Sequence, residues 1–573
     1  MTGASQESHL SFATRVFSGL VHALLLISVL TACSRVHHAG KVVAAIDIEQ
    51  IVQRVSHSDS SLEQSSDSCT LITVEKEIGF ELCFAEDGKV QGGVPNPSQV
   101  SFSPSQRYAI AIGVPLGGSP EVYRLDLVAR NIERLTDNQE LEYDPCVDDE
   151  GRFAWASWDR LGGMRDRRKV VFSGREVASG PDVVKCLATN GRLLAWCHQV
   201  FLHSKGERES IVVMDIDGGE KHEIAIDGIV ESMAFVSAER LVIEMFSPGE
   251  GFGIHVLNVR SGVLSSVFPA SPDRGGDYIS SVCYGSGFDV VRVTGGDRET
   301  ALWNAYRHIS REYPLNSLAY GNNLCGRQSW VASKRLLGMV RLYDVTGDTR
   351  LRLLIRGAVR GLMATRSGPL PHDTGQQGSS SFWPTRVYSL DRQTDLELTV
   401  NVCTILWPLL ASVKTGVIEK GESEEILAVA REYIEKCERF YDADRKGYRF
   451  EKDIAFWADG VPLPFNMQNT LGMTCALLFD QTGEEFYRKR ALALLGAFSD
   501  EWEVDEMIFR WRYWPALYYK GWLTGDDVST NTPSSDALAD DLYEDLSHAG
   551  INMQFVRMCD ELLDLDEAWG GHV

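Results

Sequence analysis

Near the end of the chain, Tyr543-Glu544-Asp545-Leu546-Ser547-His548-Ala549-Gly550-Ile551-Asn552 gathers residue types that can move a proton or hold a polar ligand. At helical spacing Asp541, Asp545, His548 and Asn552 fall on one stripe, continued by Phe555 and Cys559. Leu542, Leu546, Ala549, Met553 and Val556 form an apolar stripe beside it. Packing requires only the apolar stripe. Histidine is the side chain whose ordinary pKa lies nearest neutrality, so His548 can serve as acid or base, with Asp545 or Glu544 orienting it. A hydrogen-bonded helix crossing would use the same residues. Only one histidine lies here, and no CxxC pair or His/Cys cluster has zinc spacing, so neither a metal nor another cofactor is expected.

Two other segments carry chemistry. Phe509-Arg510-Trp511-Arg512-Tyr513-Trp514-Pro515-Ala516-Leu517-Tyr518-Tyr519 interleaves aromatic residues with two arginines. Sugar rings present C–H faces to aromatic planes, and a guanidinium matches a carboxylate in bidentate geometry, so Arg510, Arg512, Trp511 and Trp514 suit an acidic sugar. An aromatic core plug with paired arginines would read the same way. In Pro462-Leu463-Pro464-Phe465-Asn466-Met467-Gln468-Asn469 a proline loop meets a helix start. Asn466 there is either an N-cap or a donor to a ligand carboxylate, with Gln468 close by.

The elements that must position these groups follow from the rest of the chain. Its 573 residues predict two or three domains, and 24% charged with 44% hydrophobic residues is ordinary globular composition. A formal charge of −24 excludes a general nucleic-acid binder. Residues 401–573 hold 32 acidic against 16 basic residues, so most of that charge lies in the last third and a domain break falls near residue 400.

At the other end, Arg15 precedes the apolar run Val16-Phe17-Ser18-Gly19-Leu20-Val21-His22-Ala23-Leu24-Leu25-Leu26-Ile27-Ser28-Val29-Leu30, which reads as a targeting segment, residues 1–32. Leu30-Thr31-Ala32-Cys33 resembles the lipobox of bacterial lipoproteins. That resemblance implies cleavage before Cys33, a lipid anchor on its thiol and, with Ser34 next, an outer-membrane address in the cell envelope. Residues 33–68 form a polar tether. Twelve cysteines less Cys33 leave an odd number, and Cys69 with Cys83 flank a hairpin that would set them opposite each other.

Residues 69–362 alternate short β-like runs with turn signals. Val122-Tyr123-Arg124-Leu125-Asp126, Ile211-Val212-Val213-Met214-Asp215, His255-Val256-Leu257-Asn258 and Val340-Arg341-Leu342-Tyr343-Asp344 repeat at one or two units of about 43 residues. That period suits four-stranded propeller blades, six or seven of them. Val100-Ser101-Phe102-Ser103-Pro104 and Tyr143-Asp144-Pro145-Cys146-Val147-Asp148-Asp149-Glu150-Gly151 resemble the strand openers of TolB-like propellers, a fold that serves envelope adaptors, peptidase accessory domains and some uronate lyases.

Residues 363–400 read as a linker, and 401–573 as helices at about 402–415, 422–441, 466–480, 484–503 and 541–566, with a short one near 514–521. The hairpin Asp480-Gln481-Thr482-Gly483-Glu484, the Asn466 helix, the aromatic loop and the closing helix resemble the (α/α) toroid of glucuronyl C5-epimerases and polysaccharide lyases. Fewer helices are present than a full toroid needs.

Together these resemblances imply an envelope lipoprotein that binds or processes an acidic, uronate-containing polysaccharide, with C5 proton abstraction by epimerase or lyase chemistry. His548 and Tyr513 are then base and acid, Asp545 orients His548, and Arg510, Arg512, Trp511, Trp514, Asn466, Gln468 and Asn552 hold the substrate. The alternative is a non-catalytic envelope scaffold with a protein partner on the propeller face.

Overall fold

The computed structural model describes residues 70–565, apart from 76–79, 87–88, 91–92, 104, 106, 162–166, 203–205, 248–250, 269–277, 285–286, 294–316, 348, 367–381, 506–507, 520–542 and 564. Two compact units divide them, one ending at Gly321 and the other beginning at Asn322. The targeting run, Cys33 and Cys69 lie outside the described residues. Among the described residues no helix is long and apolar enough to cross a membrane.

The first unit is a succession of antiparallel meanders. Strands β1 (Thr70–Glu75), β2 (Phe80–Glu86), β3 (Lys89–Val90) and β4 (Val94–Pro95) form one four-stranded sheet. Next come β5 (Pro97–Phe102), β6 (Tyr108–Gly113), β7 (Glu121–Asp126) and β8 (Asn131–Arg134), then β9 (Leu141–Val147), β10 (Phe153–Asp159), β11 (Arg167–Phe172) and β12 (Arg175–Gly180). The fourth sheet holds β13 (Val183–Thr189), β14 (Leu193–Leu202), β15 (Gly206–Asp215) and β16 (Lys221–Ile226). The fifth holds β17 (Ile229–Ser237), β18 (Arg240–Ser247), β19 (Gly251–Asn258) and β20 (Leu264–Phe268), and a pair, β21 (Tyr278–Tyr284) with β22 (Gly287–Val293), ends the series.

Second strands such as β6 are buried throughout, whereas the fourth strands β8 and β16 are mostly exposed and charged, which protects an open edge. First strands touch in sequence, β5 with β9, β9 with β13, β13 with β17, so they form the inner line on which the sheets are hung. Asp144, at a positive φ of 50°, ties three of them: it exchanges two hydrogen bonds with Gln99 and accepts the Cys186 N–H at 2.7 Å. Apolar clusters fill the gaps between the first five sheets, for example Ile110, Ile112 and Val122 against Val147, Trp155 and Val171. Sheet packed on sheet in this order is the construction of a propeller.

Three of the four repeat positions end third strands: Asp126 closes β7, Asp215 closes β15 and Asn258 closes β19. Asp344 does not. Val340–Asp344 lies inside α1 (Ser333–Thr346), and α2 (Thr349–Ala364) follows, so the segment 333–364 is helical rather than the end of the β region. Cys83 pairs across the hairpin with Ile72, and the expected facing of Cys69 lies outside the described residues. Cys83, Cys146, Cys186, Cys197, Cys325, Cys403, Cys437, Cys475 and Cys559 form no disulfide.

The second unit continues with α3 (Thr399–Lys414), α4 (Lys420–Glu438), α5 (Phe465–Thr482), α6 (Glu485–Ser499), the short α7 (Ala516–Tyr519) and α8 (Leu546–Leu562). Two-residue hairpins, β23 (Tyr441–Asp442) with β24 (Gly447–Tyr448), and three-residue ones, β25 (Glu503–Asp505) with β26 (Ile508–Arg510), interrupt them. The expected linker is not loose beyond residue 381: Phe382 and Trp383 are buried, and the Trp383 indole donates to the Leu362 carbonyl at 2.8 Å.

Helices α1, α3 and α5 each end on a left-handed glycine, Gly347, Gly416 and Gly483, which reverses the chain into α2, α4 and α6. Helices α1, α3, α5 and α8 also touch in sequence, forming an inner row with the return helices outside. Because α1, α3 and α5 are each followed by a return helix, they run the same way, and α8 runs with α5, since Asn469 meets Asn552 and Gly472 meets Phe555. Their N-terminal ends, each with a partial positive charge, lie together.

Candidate functional site

The segment between β26 and α7 is laced across two of these N-terminal ends. The Phe465 N–H, first in α5, donates to the Tyr513 carbonyl at 3.1 Å. Glu544 N–H donates to the Trp511 carbonyl at 3.0 Å, and Arg512 and Tyr543 form an isolated antiparallel bridge. Tyr513 is thereby held between the start of α5 and the start of α8. Gly472 lets α5 and α8 approach closely, since a Cβ there would run into the Phe555 ring.

Within this frame the polar stripe becomes a hydrogen-bonded cluster. His548 Nδ1 lies 2.6 Å from Asp545 Oδ2, and the His548 backbone N–H donates to Asp545 Oδ1 at 3.0 Å. With the Nδ1 proton held by Asp545, the ring's lone pair is on Nε2. The Tyr513 ring packs against the imidazole with centroids 5.2 Å apart. Glu544 Oε1 is 3.6 Å from His548 Nδ1, while Oε2 accepts the Asn552 amide at 3.0 Å. Asn552 in turn accepts the Asn469 amide at 2.9 Å, which joins α8 to α5.

The electrostatics separate these acids. The Glu544 side chain is 3% exposed against 40% for Asp545. Burial, reinforced by the charge of Asp545, pushes the Glu544 carboxyl well above the usual carboxylate range. The Trp511 indole faces that carboxyl, but neither its N–H nor Glu544 Oε1 closes a hydrogen bond. Tyr513 is partly exposed as a residue, yet its phenol is buried. Desolvation and then the Glu544 and Asp545 charges raise it well above its ordinary value, against a hydrogen bond from Asn466.

His548, Asp545, Tyr513, Asn466 and Asn552 are therefore brought together. Other expected ligand contacts are replaced by protein contacts. The Gln468 side chain is spent on the backbone, donating to the Leu463 carbonyl at 2.9 Å and accepting the Tyr448 N–H at 3.2 Å. Trp514 is buried, stacked on Tyr518 at 4.1 Å and edge-on to Trp457 and Tyr513. Trp511 is buried edge-on to Phe498. Neither indole keeps a face for a sugar, because these rings cover one another. Arg510 is exposed, with its guanidinium 5.6 Å from the Tyr543 ring centroid, and Arg512 is half-buried in the bridge to Tyr543.

Sequence reasoning missed two buried amides at the same helix ends. Asn469 sits one turn into α5 and its Oδ1 accepts nothing; Asn401, in the first turn of α3, leaves both amide atoms unpartnered at 0% exposure. Asn466 Oδ1 is unpartnered as well. Asn466 and Asn469, three apart on one helix face, carried that signal. Trp330 and Tyr388 extend the cluster, the indole donating to the Tyr388 hydroxyl at 2.8 Å, with Tyr388 near enough to Tyr513 to raise its phenol further.

Chemically, the arrangement offers a carboxylate-bound imidazole, a carboxyl that favours its neutral form, a buried phenol and amides left open for a ligand. Glu544, Asp545 and His548 also present one ligand atom each within 4.8 Å of one another.

Neither the family models nor the curated proteins yield a match to this chain. Among solved structures it is similar to TolB from Acinetobacter baumannii, at 16% identity and a TM-score of 0.25, over 36% of this chain and 52% of that one. The β-propeller domain of the trilobed protease from Pyrococcus furiosus is similar at 6% identity and a TM-score of 0.29, over 40% of this chain and 76% of that one. Dipeptidyl peptidase 4 from Porphyromonas gingivalis is similar at 11% identity and a TM-score of 0.26, over 45% and 48%. The chain thus spans about half the length of the first of these.

Proposed function

We propose that the helical unit binds a uronate-containing polysaccharide and removes the proton at C5, in a protein exported by its leader and anchored to the cell envelope through Cys33. The observation that carries the reading is the cluster of Asp545, His548, Tyr513 and Glu544 beside the open amide oxygens of Asn466 and Asn469 at the N-terminal end of α5.

Abstraction at C5 needs three things: a neutralised carboxylate, a base, and a proton donor for the product. Arg512 and the partial positive charge of the helix ends serve the carboxylate, while the open Oδ1 atoms of Asn466 and Asn469 accept from sugar hydroxyls. His548 Nε2 takes the C5 proton while Asp545 stabilises the imidazolium. Tyr513 or the neutral Glu544 carboxyl then supplies a proton. Delivered to C5 from the opposite face it gives the epimer; delivered to the O4 leaving group, as the C4–O4 bond breaks, it gives the unsaturated lyase product. Solvent deuterium at C5 of recovered uronan reports epimerisation and the ultraviolet absorbance of an unsaturated uronate reports elimination; the absence of both with all uronan substrates would remove the catalytic reading.

A second reading, the non-catalytic envelope scaffold, is favoured by the closed aromatic loop, where Trp511 and Trp514 pack on protein rings. There the sheets of the first unit would dock a protein partner and the polar cluster would only brace α5 against α8.

A further inference from the structure

We propose that Glu544, Asp545 and His548 form a binding site for one divalent transition-metal ion, of which Zn²⁺ is the best match. Each carboxylate has one oxygen pinned by a protein donor and the other left toward the imidazole. In Asp545, the His548 N–H holds Oδ1 and leaves Oδ2 at Nδ1. In Glu544, Asn552 holds Oε2, and Asn469 holds Asn552, while Oε1 accepts no hydrogen bond although the side chain is only 3% exposed. Carboxylates held in place by protein donors are the arrangement that orients ligands on a metal, and the buried Glu544 Oε1, which has no hydrogen-bond partner, is the atom directed at the imidazole.

The spacing fits. Bonds of about 2.0–2.1 Å from a tetrahedral zinc place ligand atoms about 3.3 Å apart. The Nδ1–Oδ2 and Nδ1–Oε1 separations, 2.6 and 3.6 Å, bracket that value. No lysine or arginine among the described residues forms an ion pair with Glu544. An imidazole with two carboxylates favours Zn²⁺, Co²⁺ or Mn²⁺ over Ca²⁺ or Mg²⁺, which take oxygen donors. Three protein ligands leave a fourth position open.

Occupation has a consequence that rests on the function proposed above. With Nδ1 on the metal, the remaining ring proton sits on Nε2, and His548 no longer accepts a proton from C5. The ion then acts as an inhibitor of proton abstraction.

Affinity is measured without any glycan, so the metal site and the catalytic reading stand or fall separately. The full chain, stripped with a chelator, is titrated calorimetrically with ZnCl₂, and Co²⁺ is added to a second sample to read its d–d absorption. We expect one Zn²⁺ per chain at this site, at least ten-fold weaker binding in Glu544→Gln and His548→Gln, loss of the Co²⁺ band in both, and much weaker binding of Mg²⁺ and Ca²⁺. Asp545→Asn serves if either variant misfolds by circular dichroism. Wild-type affinity in correctly folded variants, or Mg²⁺ binding as tightly as Zn²⁺, overturns the site.

Discussion

Glu142, second in β9, sits where its charge is costly. Its side chain is buried, Asn138 donates to Oε1 at 3.0 Å, and Oε2 has no partner. Burial, with Glu140 and Glu121 nearby, pushes the carboxyl from 4.5 up to about 7. A raised folded value means that the native state holds this proton more tightly than the unfolded chain. The resulting stability is complete below about pH 4.5 and is lost as the pH rises through about 7. At about 1.36 kcal/mol per pKa unit, the shift corresponds to roughly 3 kcal/mol. Glu142→Gln keeps the shape of the neutral acid and cannot ionise. Its effect on unfolding free energy should therefore become more favourable by roughly 3 kcal/mol between about pH 4.5 and about pH 8. Urea unfolding of the full chain and the variant, followed by near-ultraviolet circular dichroism across that range, reads the difference. An offset between the two proteins that does not change with pH would refute the reasoning.

Gly472→Ala should destabilise the helical unit by about 1–3 kcal/mol, because the added methyl meets the Phe555 ring, and Phe555→Leu should recover part of that loss in a thermal-unfolding double-mutant cycle. Asn552→Ala breaks the amide link from Asn469 to Glu544 and should cost about 1–3 kcal/mol by the same measurement. An unchanged unfolding midpoint in either variant would show that α5 and α8 are not joined as described.

Much of the closing helix was legible because its period is strong. Asp545, His548 and Asn552 cluster as their spacing implies, and Phe555 and Cys559 continue the stripe into the core. Glu544, four residues before His548, joins the cluster at the spacing that made it a candidate partner of the imidazole. The boundary between units was missed where Val340–Asp344 combined strand-like composition with a multiple of the repeat. Competing signals were present, since Leu336, Leu337 and Val340 follow helical spacing and Gly347 caps the end. The aromatic loop was ambiguous for a physical reason: rings that stack on each other and rings that stack on a sugar have the same composition, and only burial distinguishes them.

The central claim is that His548 removes a proton from C5 of a bound uronate. It is tested most directly by incubating the full chain with defined uronan oligosaccharides in deuterated buffer and reading both deuterium at C5 by mass spectrometry and the unsaturated product by ultraviolet absorbance. The account predicts one of the two from the wild type and a fall of about 10²–10⁴-fold in His548→Gln, with Tyr513→Phe also impaired. Neither product with any uronan, or undiminished turnover by folded His548→Gln, would contradict it.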